Sequence, residues 1–249
     1  MKSDDIMEEE IELMKDGKRL DGRGPGDLRP MSITANVIKN ANGSAYMEWG
    51  NNRIIAAVYG PSEALPKHTA NPDKAVVKCR YMMAPFSSIS EHGRPGMNRR
   101  AVEISKVTRE VFEHAILVDK FPGCEINIYI EILQSDGGTR AAGITCAAVA
   151  LASSGIPMRD MPYSVSAGNI NETVVIDLNM IEDMASDADM PVAILPRNNE
   201  VVLLQMDGSF TKEQFDSAME LIRKSGEYIS NLQKKALKEP YEKIIDRYA

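Results

Sequence analysis

Residues 138–154, GTRAAGITCAAVALASS, are almost wholly small, and this run constrains the fold more than any other segment. It predicts a helix ended by Gly155 and Pro157. Ala141, Ala142, Gly143, Ala147, Ala148 and Ala150 carry so little side chain that the helix can pack very close to a neighbour. A buried helix of this kind, with its open end facing a cleft, is a stable anchor for an anion site.

What precedes the run is charged. Gln134–Ser135–Asp136–Gly137–Gly138–Thr139–Arg140 leads into the helix. A helix N-terminus leaves several N–H groups without partners and carries about half a positive charge. Gly137 and Gly138 allow close backbone approach, Thr139 adds a hydroxyl, and Arg140 adds a planar fork suited to phosphate oxygens. A cation in the first turn opposes the helix dipole, and a bound anion would compensate it. The same residues also fit a plain helix start whose arginine reaches solvent or pairs with Asp136. The pattern is not a Walker loop, which needs a lysine after the glycines.

The rest of the chain sets the context. Alternation predicts strands over 31–38, 44–49, 53–60, 75–83 and 125–133, then four more between 163 and 206. Residues 98–117 have helical spacing with Asn98 as a cap. Thr211 and Gln214 match a capping box for a helix running to about 238, with Phe215, Met219, Ile222, Ile229 and Leu237 as its buried stripe. A short acidic helix is expected over 6–16. Strands, helix, strand, helix, strands, helix is an α+β order, a mixed sheet with packed helices. We expect a single domain: an N-terminal extension over 1–16, a first half over 17–160 and a second over 161–249.

With 249 residues, 43% of them hydrophobic, the chain can bury a substantial core. No uncharged apolar run approaches 18 residues, and the N-terminus lacks a secretory h-region, so neither a membrane span nor export is expected. Cys79, Cys124 and Cys146 are too few and too scattered for a disulfide or zinc scaffold and fit a reducing, cytoplasmic setting. His68, His92 and His114 lack ligand spacing, so acid–base chemistry falls to carboxylates.

The net charge is −7, so local distribution matters more than the total. Asp177, Glu182, Asp183, Asp187 and Asp189 cluster beside strand-like segments, where like charges raise one another's pKa or recruit a divalent cation. Asp183 and Asp189 are six residues apart across a turn and could converge on one ion or one leaving group. An exposed acidic loop is the alternative. Arg99 and Arg100 sit at the N-terminal end of a helix, where a polyanion would account for them, and Lys67 adds a second basic loop.

In chain order, KRLDGRGPGDLRPM, GSAYMEWGNNRIIAAVYGP, CRYMMAPFS, NRRAVEISKVTRE, EILQSDGGTRAAGITCAAVALASSGIPMRDM and DLNMIEDMASDADMPVAILP resemble the RNase PH family. The nearer resemblance is to the catalytic RNase-PH-like subunit of the archaeal exosome, favoured by the LDGR and RYMMAPFS stretches. It implies an RNase PH-like fold, related to the second domain of ribosomal protein S5. It also implies 3′→5′ phosphorolysis of RNA, in which inorganic phosphate releases nucleoside diphosphates. By position, Gly138, Thr139 and Arg140 would hold the phosphate. Asp189 would be the general acid, with Asp187 as a competitor, and Asp183 would bind Mg²⁺ (or Mn²⁺) with Asp189 or orient that acid. Arg99, Arg100 and Lys67 would grip the single-stranded RNA 3′ end. The implied partners are an inactive RNase-PH-like subunit in a hexameric ring and RNA-binding cap proteins, with no DNA. The rivals are a homohexameric RNase PH trimming tRNA ends, a non-catalytic RNA-binding ring subunit and a small-molecule phosphotransferase.

Overall fold

The structure is a computed structural model that describes residues 13–15, 17–89 and 98–248. Most of the acidic helix expected over 6–16 lies outside those residues. Where the segment is described, Met14–Lys15 is a strand, β1, paired with Lys18–Arg19, β2. Leu13 accounts for the difference, because it is buried against Ile170, Val175 and Leu178 rather than continuing an acidic helical face.

Five strands then form a first sheet: β3 (Met31–Ala35), β4 (Gly43–Trp49), β5 (Asn52–Glu63), β6 (Val76–Met83) and β7 (Cys124–Gln134). Their order is β3-β4-β5-β7-β6, antiparallel except for the β6–β7 pair. A parallel pair needs a crossover, and α1 (Arg99–Ala115) supplies it. Asn98 caps α1 by accepting from the Ala101 amide at 2.7 Å, as its position predicts.

The second sheet comprises β8 (Tyr163–Ile170), β9 (Thr173–Ile176), β10 (Ala188–Leu195), β11 (Glu200–Leu204) and β12 (Asp207–Gly208), all antiparallel. The expected mixed sheet is the first of these, and the later strands form a separate antiparallel sheet. Strand order along the chain does not reveal such a break. The small-residue helix α2 (Thr139–Ser153) explains it, packing against β4, β5 and β7 of one sheet and β8 and β10 of the other. Residues 141–151 of α2 are buried without exception, so no face is left for solvent. A larger residue at Ala148 would have to push one sheet outward, at about 1–3 kcal/mol. Buried side chains from both sheets join one contiguous core.

Two helices remain. α3 (Met180–Ala185) was not anticipated, although Asn179 and Glu182 carry its capping box in the sequence. α4 (Lys212–Tyr248) begins on the expected Thr211–Gln214 box, with Met219, Ile222 and Ile229 buried against the core. It runs ten residues past the expected end at 238, through Pro240. A proline removes one N–H donor and strains its own turn, but the helix can resume beyond it.

Candidate active site

The turn before α2 is fastened from behind. Gly137 and Gly138 are both left-handed, at φ 69° and 67°, where a glycine is at ease. A Cβ on Gly137 would also meet the Asn179 carbonyl carbon at 2.5 Å. The turn's carbonyls are held by buried side chains. Asn52 donates to the Gly137 oxygen at 2.7 Å and accepts from the Asp136 amide at 2.6 Å, and Arg29 donates to both the Asp136 and Gly137 oxygens. Gly138 is the N-cap and offers no side-chain acceptor, so the first amides of α2 have no side-chain cap. Asp136 does not pair with Arg140. Its carboxylate accepts from Asn51 and from the Met180 amide.

Arg29 belongs to a larger knot. It grips Asp177 through its own backbone amide at 2.6 Å and through Nη2 at 2.7 Å. Arg19 makes a two-pronged pair with Glu182, with Nε donating at 2.7 Å, and both side chains are fully buried. Arg23 lies near both acids, 3.4 Å from Asp177 and 3.6 Å from Glu182. Asp177 takes a left-handed backbone, φ 57°, which aspartate tolerates. Two of the five acids predicted to cluster for chemistry therefore serve to join the N-terminal loop to the second sheet.

The other three face outward. Asp183, from the last turn of α3, and Asp189, from the start of β10, line a cavity of about 710 Å³ with Asp187. Arg100 of α1 and Arg140 of α2 line the same cavity, as do Glu103, Gln205 and Asp207. The sequence reading missed these last three. Asp207 arrives because β12 pairs with β10 in the register Asp189↔Asp207. Gln205 arrives on the β11 hairpin, and Glu103 lies one helical turn beyond Arg99. No local motif marks any of them.

Among the described lining residues, five carboxylates face two arginines. Burial pushes the Asp189 carboxyl up to about 6, the Asp183 charge and then Asp207 add to this, and Arg140 and Arg100 pull the other way. Burial likewise raises Asp183, against the pull of Arg100, Arg140 and Arg29. Asp187 is exposed.

The remaining predicted residues fall around this cavity rather than in it. Thr139 is buried, its hydroxyl accepting from Tyr81 at 2.8 Å. Gly138 sets the turn behind Arg140. Arg99 is exposed at the first residue of α1, beside the cavity-lining Arg100. Lys67 lies in a short 3₁₀ turn, exposed and paired with Glu63 at 3.2 Å, and does not line the cavity. Residues 90–97, which lead into Arg99 and Arg100, lie outside the described residues.

Among the described residues no three His, Cys, Asp or Glu side chains converge as a metal site. Asp183 and Asp189 nonetheless suit Mg²⁺ or Mn²⁺. Both are hard oxygen donors, and Mg²⁺ binds through one or two carboxylates, filling its other positions with water and substrate phosphate. The excess of carboxylates in the cavity favours a cation there. No helix among the described residues is long and apolar enough to cross a membrane.

Comparison with known proteins agrees with this architecture. A model of the 3′ exoribonuclease family, domain 1, matches residues 27–157, and its domain 2 matches residues 160–225. The chain is 53% identical to exosome complex component Rrp41 of Pyrococcus furiosus over 230 residues, 92% of each chain. It is 48% identical to the Thermoplasma acidophilum Rrp41 over 230 residues, again 92% of each. Its fold matches rice (Oryza sativa) Rrp46 with a TM-score of 0.80 at 23% identity, covering 88% of this chain and 100% of that one. It matches a chain of the Archaeoglobus fulgidus exosome with RNA bound to the active site at 0.74 and 23% identity, over 86% and 92%. The two matched domains span most of the chain, and it belongs to the 3′ exoribonuclease family of RNase PH-like proteins.

Proposed function

We propose that this chain is the catalytic subunit of an archaeal exosome, a 3′→5′ exoribonuclease that uses inorganic phosphate to release nucleoside diphosphates. One observation carries the reading: two arginines from two helices meet the Asp183–Asp189 pair across a single cavity. A phosphate nucleophile and an RNA phosphodiester repel each other, so cations must hold both in line. Arg140, on the turn set by Gly138 and Thr139, holds the attacking phosphate. Arg100 holds the terminal phosphodiester, and Arg99 and Lys67 meet the RNA backbone farther out.

A phosphate oxygen bonds to the terminal phosphorus as the bond to the ribose 3′ oxygen breaks. Asp189 gives that oxygen its proton. A carboxyl raised to about 6 keeps a usable protonated fraction near neutral pH, and its half-buried place beside Arg140 favours it over the exposed Asp187. Asp183 and Asp189 would hold Mg²⁺ or Mn²⁺, which would supply positive charge against that of the phosphate oxygens. The relatives named as exosome components support an exosome assembly over a homohexameric tRNA trimmer. In the proposed assembly the chain shares a hexameric ring with a catalytically silent RNase-PH-like subunit, covered by RNA-binding caps. Three free cysteines accord with a cytoplasmic site.

The test is the mass of the mononucleotide released from poly(A) with Mg²⁺ and phosphate. ADP, absent when phosphate is withheld, is the expected product. AMP would replace phosphorolysis with hydrolysis, and no product from a correctly assembled ring would leave only an RNA-binding role.

A further inference from the structure

Arg140 does not hang free in the cavity. Its Nη1 donates to the Gln205 side-chain oxygen. The Gln205 amide nitrogen donates onward to Glu103 at 3.1 Å. Glu103 lies 3.8 Å from Arg140 Nη2, inside ion-pair range but beyond a hydrogen bond. The three side chains come from α2, the end of β11 and α1, and all line the same cavity.

We infer that Gln205 is the positioning residue for Arg140 and that Glu103 is a loose counter-ion which an incoming phosphate replaces. This rests on the phosphate role proposed for Arg140. A guanidinium has five N–H donors in a rigid fork. Gln205 takes one from the end of the fork, which fixes its plane and leaves the other donors for a ligand. An amide oxygen does this without neutralising the charge, as a carboxylate in its place would. Glu103 does carry a charge, but its side chain is 55% exposed and its contact is long, so solvent screens it and an anion can displace it. Gln205 is itself anchored, its backbone amide donating to the Pro191 oxygen of β10 at 3.2 Å. The strand that carries Asp189 thus also sets the position of Arg140, so attacking group and acid share one frame.

The two residues are therefore expected to act in opposite directions on phosphate use. In phosphorolysis of poly(A) by the full chain in its active assembly, Gln205→Ala raises the KM for inorganic phosphate about tenfold, with kcat at saturating phosphate held within about threefold. Glu103→Gln lowers that KM about twofold to threefold and leaves thermal stability unchanged. In an Arg140→Ala background, Gln205→Ala adds nothing, because the group it positions is gone. An unchanged phosphate KM in Gln205→Ala overturns the inference, as does an effect that adds fully to that of Arg140→Ala, which marks mere structural support. A KM that rises or stays level in Glu103→Gln overturns the displacement step, even should Gln205→Ala fail to fold. If Arg140→Ala itself leaves phosphate dependence flat, the phosphate role of Arg140 fails and this inference falls with it. A steep rise there beside a flat Gln205→Ala removes only the inference.

Discussion

Glu182 and Asp183 are neighbours in sequence and opposites in the molecule. Glu182 turns inward to a knot in which Arg19, Arg23 and Arg29 meet Asp177 and Glu182, with every carboxylate answered by a guanidinium. Asp183 turns outward to a cavity where carboxylates outnumber arginines, where burial raises the pKa of Asp183 and Asp189, and where the Asp183 and Asp207 charges raise Asp189 further. A charge that finds its partner inside the fold serves structure. A charge left facing its own kind is held in readiness for something not yet there. The knot should therefore respond to mutation in stability and the cavity in rate.

The largest expected effect is in the cavity. Asp189→Asn should cut turnover by about 10²–10⁴-fold while leaving RNA affinity and folding intact, read by ADP release beside RNA binding and a melting curve. Full turnover would pass the acid's role to Asp187. Next is the knot. Glu182→Gln leaves the buried Arg19 guanidinium without its counter-charge and should cost about 3–5 kcal/mol in denaturant unfolding, with turnover per folded molecule nearly unchanged. A variant as stable as the parent would erase the distinction drawn here. The smallest effect is in pH dependence. The Asp189 carboxyl stands at 3.8 when unperturbed and about 6 in the fold. Between those values the folded state keeps a proton that the unfolded chain has released, so stability falls as pH rises across that window and levels off above it. In metal-free buffer the melting temperature of Asp189→Asn relative to the parent should rise from pH 4 to 6, because the variant lacks this falling contribution, while Asp183 keeps its own. An unaltered slope would mean that Asp189 sits in water.

How much was legible in the sequence follows from distance along the chain. The helix α2 and its glycine turn could be read because their determinants are contiguous, as could the caps at Asn98 and Thr211. The inward or outward sense of each acid could not. Arg19 lies 163 residues from Glu182, and Arg29 lies 148 from Asp177. No local pattern told Asp177 from Asp189. The division into two sheets was hidden for a similar reason: it depends on α2 being covered from both sides, whereas the run of alanines says only that close approach is possible. Gln205 and Glu103 carry no motif, and only the meeting of α1, α2 and the β10–β11 hairpin gives them a place beside Arg140. Lys67, grouped with the arginines because it is basic, lies outside the cavity, exposed and 3.2 Å from Glu63 four residues before it.

The pairing of β12 with β10 has a consequence for the growing chain. Asp207 opposes Asp189 only once the hairpin has folded back, and Gln205 reaches Arg140 by the same fold. A nascent polypeptide released before residue 208 would already carry the glycine turn, both arginines and both aspartates in its text, yet the cavity would lack one wall. Addition of the β12 segment, rather than any single motif, is what closes it.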